Sequence, residues 1–190
     1  MDHAATPPSN HPPSESPAAG SPRTRALTEV PALTEAAIEL LRTPNSLAML
    51  SADDALVVVT HMRLVTFPAG ALMLREGDQS PNSYMLLVLT GDVSVEMNDP
   101  ASTHPMEVSV LGPGSLIGEM ALLDGQARSV SCVATSTVQA GGLSRKALER
   151  LIDVHPKVAA RLMVAIAKRL SDRLRAAGEQ LAMMSQIGKA

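Results

Sequence analysis

Residues 114–131, GSLIGEMALLDGQARSVS, place the carboxylate of Glu119 directly after a glycine in an apolar run, with the guanidinium of Arg128 a short loop later. Charged residues make up only 18% of the chain, so one of each sign beside so much Leu, Ile, Met and Ala needs a chemical reason. Gly118 followed by Glu119-Met120-Ala121-Leu122 reads as a strand turning into a short helix, whose first N–H groups and partial positive charge attract an anion. A glycine at that turn lets a ligand approach the backbone with no Cβ in the way. Arg128 supplies a planar fork suited to two phosphate oxygens, and the Ser129 hydroxyl can donate a further bond. Glu119, an acceptor when ionised, suits a sugar hydroxyl rather than a phosphate. One phosphate, one ribose hydroxyl and apolar walls, with Leu116 and Ile117 beside them, describe a nucleotide pocket.

The elements that must position these residues follow from composition and period. Residues 1–25 are Pro, Ser and Ala with almost no large apolar side chains, and are expected to form a disordered tail. Residues 26–62 carry helix signals. Thr34 is an expected helix start before Ile38 and Leu41, with Pro44 as its stop, and Ser51 is an expected N-cap helped by Asp54. From Arg63 the period changes to short β-branched or alternating runs, divided at Gly70, Gly77, Gly91, Gly112-Pro113-Gly114 and Gly141-Gly142. Such spacing predicts an antiparallel β-roll over 63–145, with Val93 and Val95 on one face and Phe67 and Tyr84 in the core.

Helix returns at Ser144, stops near His155, and restarts with Pro156 as the first residue of a long final helix. Val158, Leu162, Ile166, Leu170, Leu174, Ala177, Leu181 and Met184 make one apolar stripe along it, longer than one roll could cover, which favours pairing with a second copy. Gly178 argues against an extended coil beyond it, and Gly188 is the expected stop. The expected fold is therefore α+β: an antiparallel, jelly-roll-like β-roll flanked by N-terminal helices, with lid or dimerisation helices over 146–190.

Several functions are disfavoured. A net charge of −3 gives no electrostatic reason to expect a nucleic-acid or anionic-membrane partner. The single cysteine, Cys132, sits in a β-run, reads as a small buried apolar residue and fits a reducing compartment. His3, His11, His61, His104 and His155 are scattered without metal-ligand spacing, and no catalytic constellation stands out, so neither a metal nor an enzyme is expected. The N-terminus lacks the pattern of a secretory signal and no run is long enough to span a bilayer; the expectation is a cytoplasmic protein.

The runs FPAG and REGD, YMLLVLTGDVSV, VLGPGSLIGEMALLDGQARSV and the HP before a long helix closely resemble the cyclic nucleotide-binding domain family, from about Leu47 to about Leu181. The most specific part is the phosphate-binding cassette, matched by Gly118-Glu119-Met120-Ala121-Leu122 and Arg128-Ser129. The resemblance implies a β-roll in which Arg128 and Ser129 grip a cyclic phosphate, helped by N–H groups around Ala121 and Leu122. Glu119 and Gly118 would hold the ribose 2′-hydroxyl, and the long helix would close over the base as a lid. Where relatives that read adenine carry small hydroxyl residues on that helix, this chain has Arg173 and Leu174. Arg173 could stack over the base instead.

No cofactor is expected; cAMP is the expected ligand, with cGMP second. The sequence ends at Ala190, without the helix-turn-helix domain that follows the long helix in transcription factors of the family, so a stand-alone sensor is expected. It would act as a homodimer on an effector protein. The alternatives are a ligand-free scaffold module, a transcription regulator acting through a separate DNA-binding partner, and a receptor for another signalling nucleotide such as cyclic di-GMP.

Overall fold

The computed structural model describes residues 24–44, 46–98 and 104–187. Two antiparallel sheets form the β-roll. One has five strands: β1 (Arg25–Ala26), β2 (Arg63–Phe67), β9 (Val138–Ser144), β4 (Tyr84–Thr90) and β7 (Leu116–Ile117), in that spatial order. The other orders β3 (Leu72–Leu74), β8 (Ser131–Ala134), β5 (Val93–Met97) and β6 (Met106–Leu111). The helices are α1 (Pro31–Leu41), α2 (Ala52–Thr60), α3 (Glu119–Asp124), α4 (Arg145–Val154) and α5 (Pro156–Ile187).

Strand β4 shows why the chain reads YMLLVLT without alternation. Leu86 and Val88 point between the sheets, into a core with Val93, Val95, Ile117 and Cys132. Met85, Leu87 and Leu89 point the other way, onto the helices, with Leu41, Leu64, Leu143, Leu162 and Ile166. A strand buried on both faces has no polar side to show. Gly141, in the paired strand β9, keeps the helix side close: a Cβ there would stand 3.1 Å from Leu27 and 3.2 Å from Met62. Gly70, Gly77 and Gly91 adopt φ of 80°, 78° and 80°, the left-handed turns expected of them.

The Ser51 cap is present, its side chain accepting from the Asp54 N–H at 3.1 Å, while the Ser51 N–H donates to the Asp54 carboxylate at 3.3 Å. Other expectations shift. Arg25 leaves the expected tail and Ala26 the expected helical segment, and they pair with Leu64 and Arg63; residues 1–23, with His3 and His11, lie outside the described residues. Helix α1 starts at Pro31, a turn before Thr34, because proline fits the first helical position and leaves no donor unpaired. Thr34 instead donates its hydroxyl backwards to Leu27 O and Val30 O, at 3.0 and 3.1 Å.

Phe67 and Tyr84 are half-buried at the margin of the roll core rather than within it. Helix α5 starts at Pro156 as expected but runs straight through Gly178 to Ile187; Gly188 lies outside the described residues. Its first half is buried through Ala159, Leu162, Ala165 and Ile166, whereas Leu174, Leu181 and Met184 are exposed. None of the described helices is long and apolar enough to cross a membrane.

Candidate ligand cavity

Strand β7 ends at Ile117, and Gly118 turns the chain into α3 with φ 77°. That angle alone favours glycine, but the surroundings require it more strongly. A Cβ on Gly118 would stand 2.5 Å from Nη1 of Arg128 and 2.9 Å from Tyr84 O. The space kept clear here is filled by the arginine, so Gly118 places Arg128 before it concerns any ligand.

Arg128 is held from both ends. Its backbone N–H donates to Asp78 O at 2.9 Å and its carbonyl accepts from Gly77 N–H at 2.8 Å. Its Nη1 donates to Gly118 O and its Nη2 to Tyr84 O, both at 2.8 Å, with the guanidinium 5.0 Å from the Tyr84 ring centre. Burial pulls its pKa below the ordinary arginine value and Tyr84 pulls the other way, so the group stays a cation. These two bonds engage two of five N–H donors, leaving capacity for an acceptor.

Arg128 and Ser129 open onto a cavity of about 780 Å³ that also takes in Leu116, Ile117, Gly118, Glu119, Met120, Ala121 and Arg173. The structure thus brings nine of the ten sequence-predicted residues to one space. Leu122 is the exception: it is fully buried in the core between sheet and helices, and its N–H bonds back to Gly118 O at 3.4 Å. Met120 is 45% exposed at the rim.

Glu119 is buried, its side chain 3% exposed, and its Oε1 accepts from Arg173 Nη1 at 2.8 Å. Arg173 was expected over a base; here it reaches from α5 to the cassette carboxylate. One turn earlier on α5, Arg169 donates to Leu116 O at 3.4 Å, and burial lowers its pKa while Glu119 raises it. The charged lining is therefore Arg128, Arg169 and Arg173 against Glu119, a net positive space suited to an anion.

The opposite wall was not foreseen as part of the site: Leu74, Val95, Met97, Val108 and Val110. Cys132 also faces it, 1% exposed, with burial pushing its thiol up to about 11, so it is an unreactive apolar surface. Among the described residues no cluster of His, Cys, Asp or Glu could hold a metal ion.

Two antiparallel sheets, a glycine-led turn carrying Glu119 and an inward arginine from the following loop together form a β-roll module around a cavity suited to an anion. Residues 64–155, just under half of the chain, match the family model for the cyclic nucleotide-binding domain, and this part of the chain belongs to that family. Over 102 residues, 54% of this chain, the sequence is 37% identical to a cyclic nucleotide-gated potassium channel of Mesorhizobium japonicum, covering 26% of the channel. It is 28% identical over 113 residues, 59% of this chain, to the cAMP-activated global transcriptional regulator CRP of Escherichia coli, covering 52% of that protein. The chain thus spans about half or less of these two relatives' lengths. A solved cyclic nucleotide-binding domain from Methylobacillus flagellatus superposes with a TM-score of 0.68 at 28% identity, covering 80% of this chain and 83% of its own.

Proposed function

We propose that the cavity binds a cyclic mononucleotide, cAMP before cGMP, and that the chain is a sensor acting through a partner. The observation that carries this reading is the convergence of Arg128 and Glu119, from opposite sides of the left-handed Gly118, on one 780 Å³ space. Arg128 has N–H capacity left for the cyclic phosphate, and Ser129 adds a hydroxyl. Glu119 accepts the ribose 2′-hydroxyl, and the base lies against Val95, Val108 and α5. The M. japonicum channel and the E. coli regulator are named for cyclic nucleotides, and the regulator for cAMP, which supports the ligand class.

The switch follows from Glu119 having two claimants. In this structure its carboxylate bonds to Arg173 of α5; a ribose hydroxyl at the same oxygen competes for it. Ligand then shifts α5 by as much free energy as it binds one helix position better than another. The exposed Leu174, Leu181 and Met184 continue the stripe beyond the roll and would pair with a second copy, so that helix motion becomes a change in dimer geometry. Sedimentation of the full chain reads that dimer.

Calorimetry with cAMP and cGMP on the wild type and Arg128→Ala tests the ligand reading. The substitution should weaken binding by about 2 kcal/mol or more, roughly thirty-fold, because a desolvated phosphate loses its charged partner. Equal heats from both proteins would move the site elsewhere. No heat from either nucleotide would leave the ligand-free scaffold reading in its place.

A further inference from the structure

A second cavity, of about 550 Å³, shares no lining residue with the first. It lies where β2, β9 and β4 meet the end of α2 and the start of α4. Its floor is apolar and buried, with Met62 and Leu86 each 1% exposed and Ala147 4%. The chain has one Phe, one Tyr and no Trp, and Phe67 and Tyr84 both line this cavity while neither lines the first. Two half-buried rings therefore stand beside an aliphatic floor, Tyr84 with Arg128 over its ring and its hydroxyl donating to Met73 O at 3.1 Å.

The rim is cationic. Arg63, Arg150 and His61 line the cavity, and no Asp or Glu does. Arg63 is oriented by its bonds from Nε to Thr24 Oγ1 at 3.0 Å and from Nη2 to Thr24 O at 2.6 Å, and Arg150 is exposed. His61 Nδ1 sits 2.9 Å from Val57 O, an oxygen that only accepts, so this nitrogen carries a proton and fixes the ring.

Gly142 shapes the cavity floor. It stands in the interior of a central strand, at a φ outside the left-handed region, so backbone conformation does not require a glycine. A Cβ there would meet Leu86 at 3.3 Å and Val65 at 3.7 Å, both on the cavity floor. The glycine spares Leu86 that crowding and leaves the floor beside it uncovered.

We propose that this second cavity is a binding site for a small aromatic carboxylate, its ring against Phe67 and Tyr84 and its charge at Arg150 and Arg63. A mostly apolar pocket with a few convergent charges is the usual form of a small-molecule site.

The test uses the full chain, with 2-naphthoate and its neutral counterpart 2-naphthalenemethanol as probes, read by amide chemical-shift mapping. The carboxylate should shift Phe67, Gly142 and Ser144 and bind at least tenfold more tightly than the alcohol. Arg150→Glu, a change on an exposed helix position, should weaken 2-naphthoate at least tenfold and leave cAMP heats unchanged. Tyr84 O also holds Arg128, so the two cavities share a wall and must be separated: saturating cAMP should not displace 2-naphthoate. Equal binding of acid and alcohol, displacement by cAMP, or no shifts at these residues at millimolar probe would overturn the proposal. The shift map stands whether or not the cassette binds nucleotide, so failure of one reading is distinguishable from failure of the other.

Discussion

Among the described residues, Arg161–Asp54 and Arg173–Glu119 are ion pairs that tie α5 to the rest of the molecule, and by distance alone they are twins. Arg161 Nη1 meets Asp54 at 2.8 Å and Arg173 Nη1 meets Glu119 at 2.8 Å. Side-chain exposures match too, 60% against 6% in the first pair and 61% against 3% in the second. The carboxylates differ in what else they face. Asp54 receives Arg161 on both oxygens, at 2.8 and 3.0 Å, and also closes the capping box of α2 with Ser51. Glu119 faces a cavity large enough for a ligand. A carboxylate locked by several fixed donors is a fastening; one holding an exposed arginine beside an open space can exchange that partner.

Breaking the fastening should have the largest effect. Asp54→Ala removes both the helix cap and the charge-assisted bond, and should lower unfolding free energy by about 2–3 kcal/mol. Urea denaturation of the variant reads this, and a loss below about 1 kcal/mol would make the two pairs equivalent. Acid sharpens the same point. Burial pushes the Asp54 pKa up, but the bonds from Ser51 and Arg161 outweigh it and hold the carboxyl below the ordinary carboxylate value. A group lowered on folding contributes fully above its unfolded pKa and loses that contribution as pH falls through the folded one. Stability of the wild type should therefore fall in acid below about pH 4, and Asp54→Asn should flatten that part of the profile.

Breaking the exchangeable pair from the cassette side should show in binding rather than in folding. Glu119→Ala should cost about 1.5 kcal/mol of cyclic ribonucleotide affinity, roughly tenfold, by removing a charged acceptor. The same change should matter little for a 2′-deoxy analogue, which has no hydroxyl to lose. An equal loss for both analogues would place Glu119 away from the ribose.

What the sequence makes legible here is what is local in it. Gly118 to Ala121, Arg128 and Ser129 lie within one short stretch, and the turn glycines and the Ser51 cap announce themselves by residue type. Leu122, expected at the site through its N–H, turns its side chain into the core because a short helix must bury one face, and the motif alone does not say which. The cavity wall at Met97 and Val108 was invisible, since strand alternation tells which residues share a face but not what that face meets. The Asp54–Arg161 pair joins positions 107 apart, and no pattern links them before folding. Strand β1 is two residues long and exists only because β2 offers it an edge. Gly178 does not end the helix, for an energetic reason: about 1 kcal/mol against helix at one position is small beside the whole of a 32-residue helix.

The smallest effect is the most discriminating. Arg173→Ala removes the exposed half of the cavity pair, and an arginine 61% open to water gives up little when its ion pair goes. Unfolding free energy should change by less than about 1 kcal/mol, and a cycle with Glu119→Ala should return a coupling of the same small size. The pair cannot then be explained as a stabilising strut like Asp54–Arg161, and its place beside the cavity becomes its use: a weak contact surrendered at small cost. A coupling of several kcal/mol would mean that Glu119 is committed to α5, and the carboxylate would have nothing left to offer a sugar.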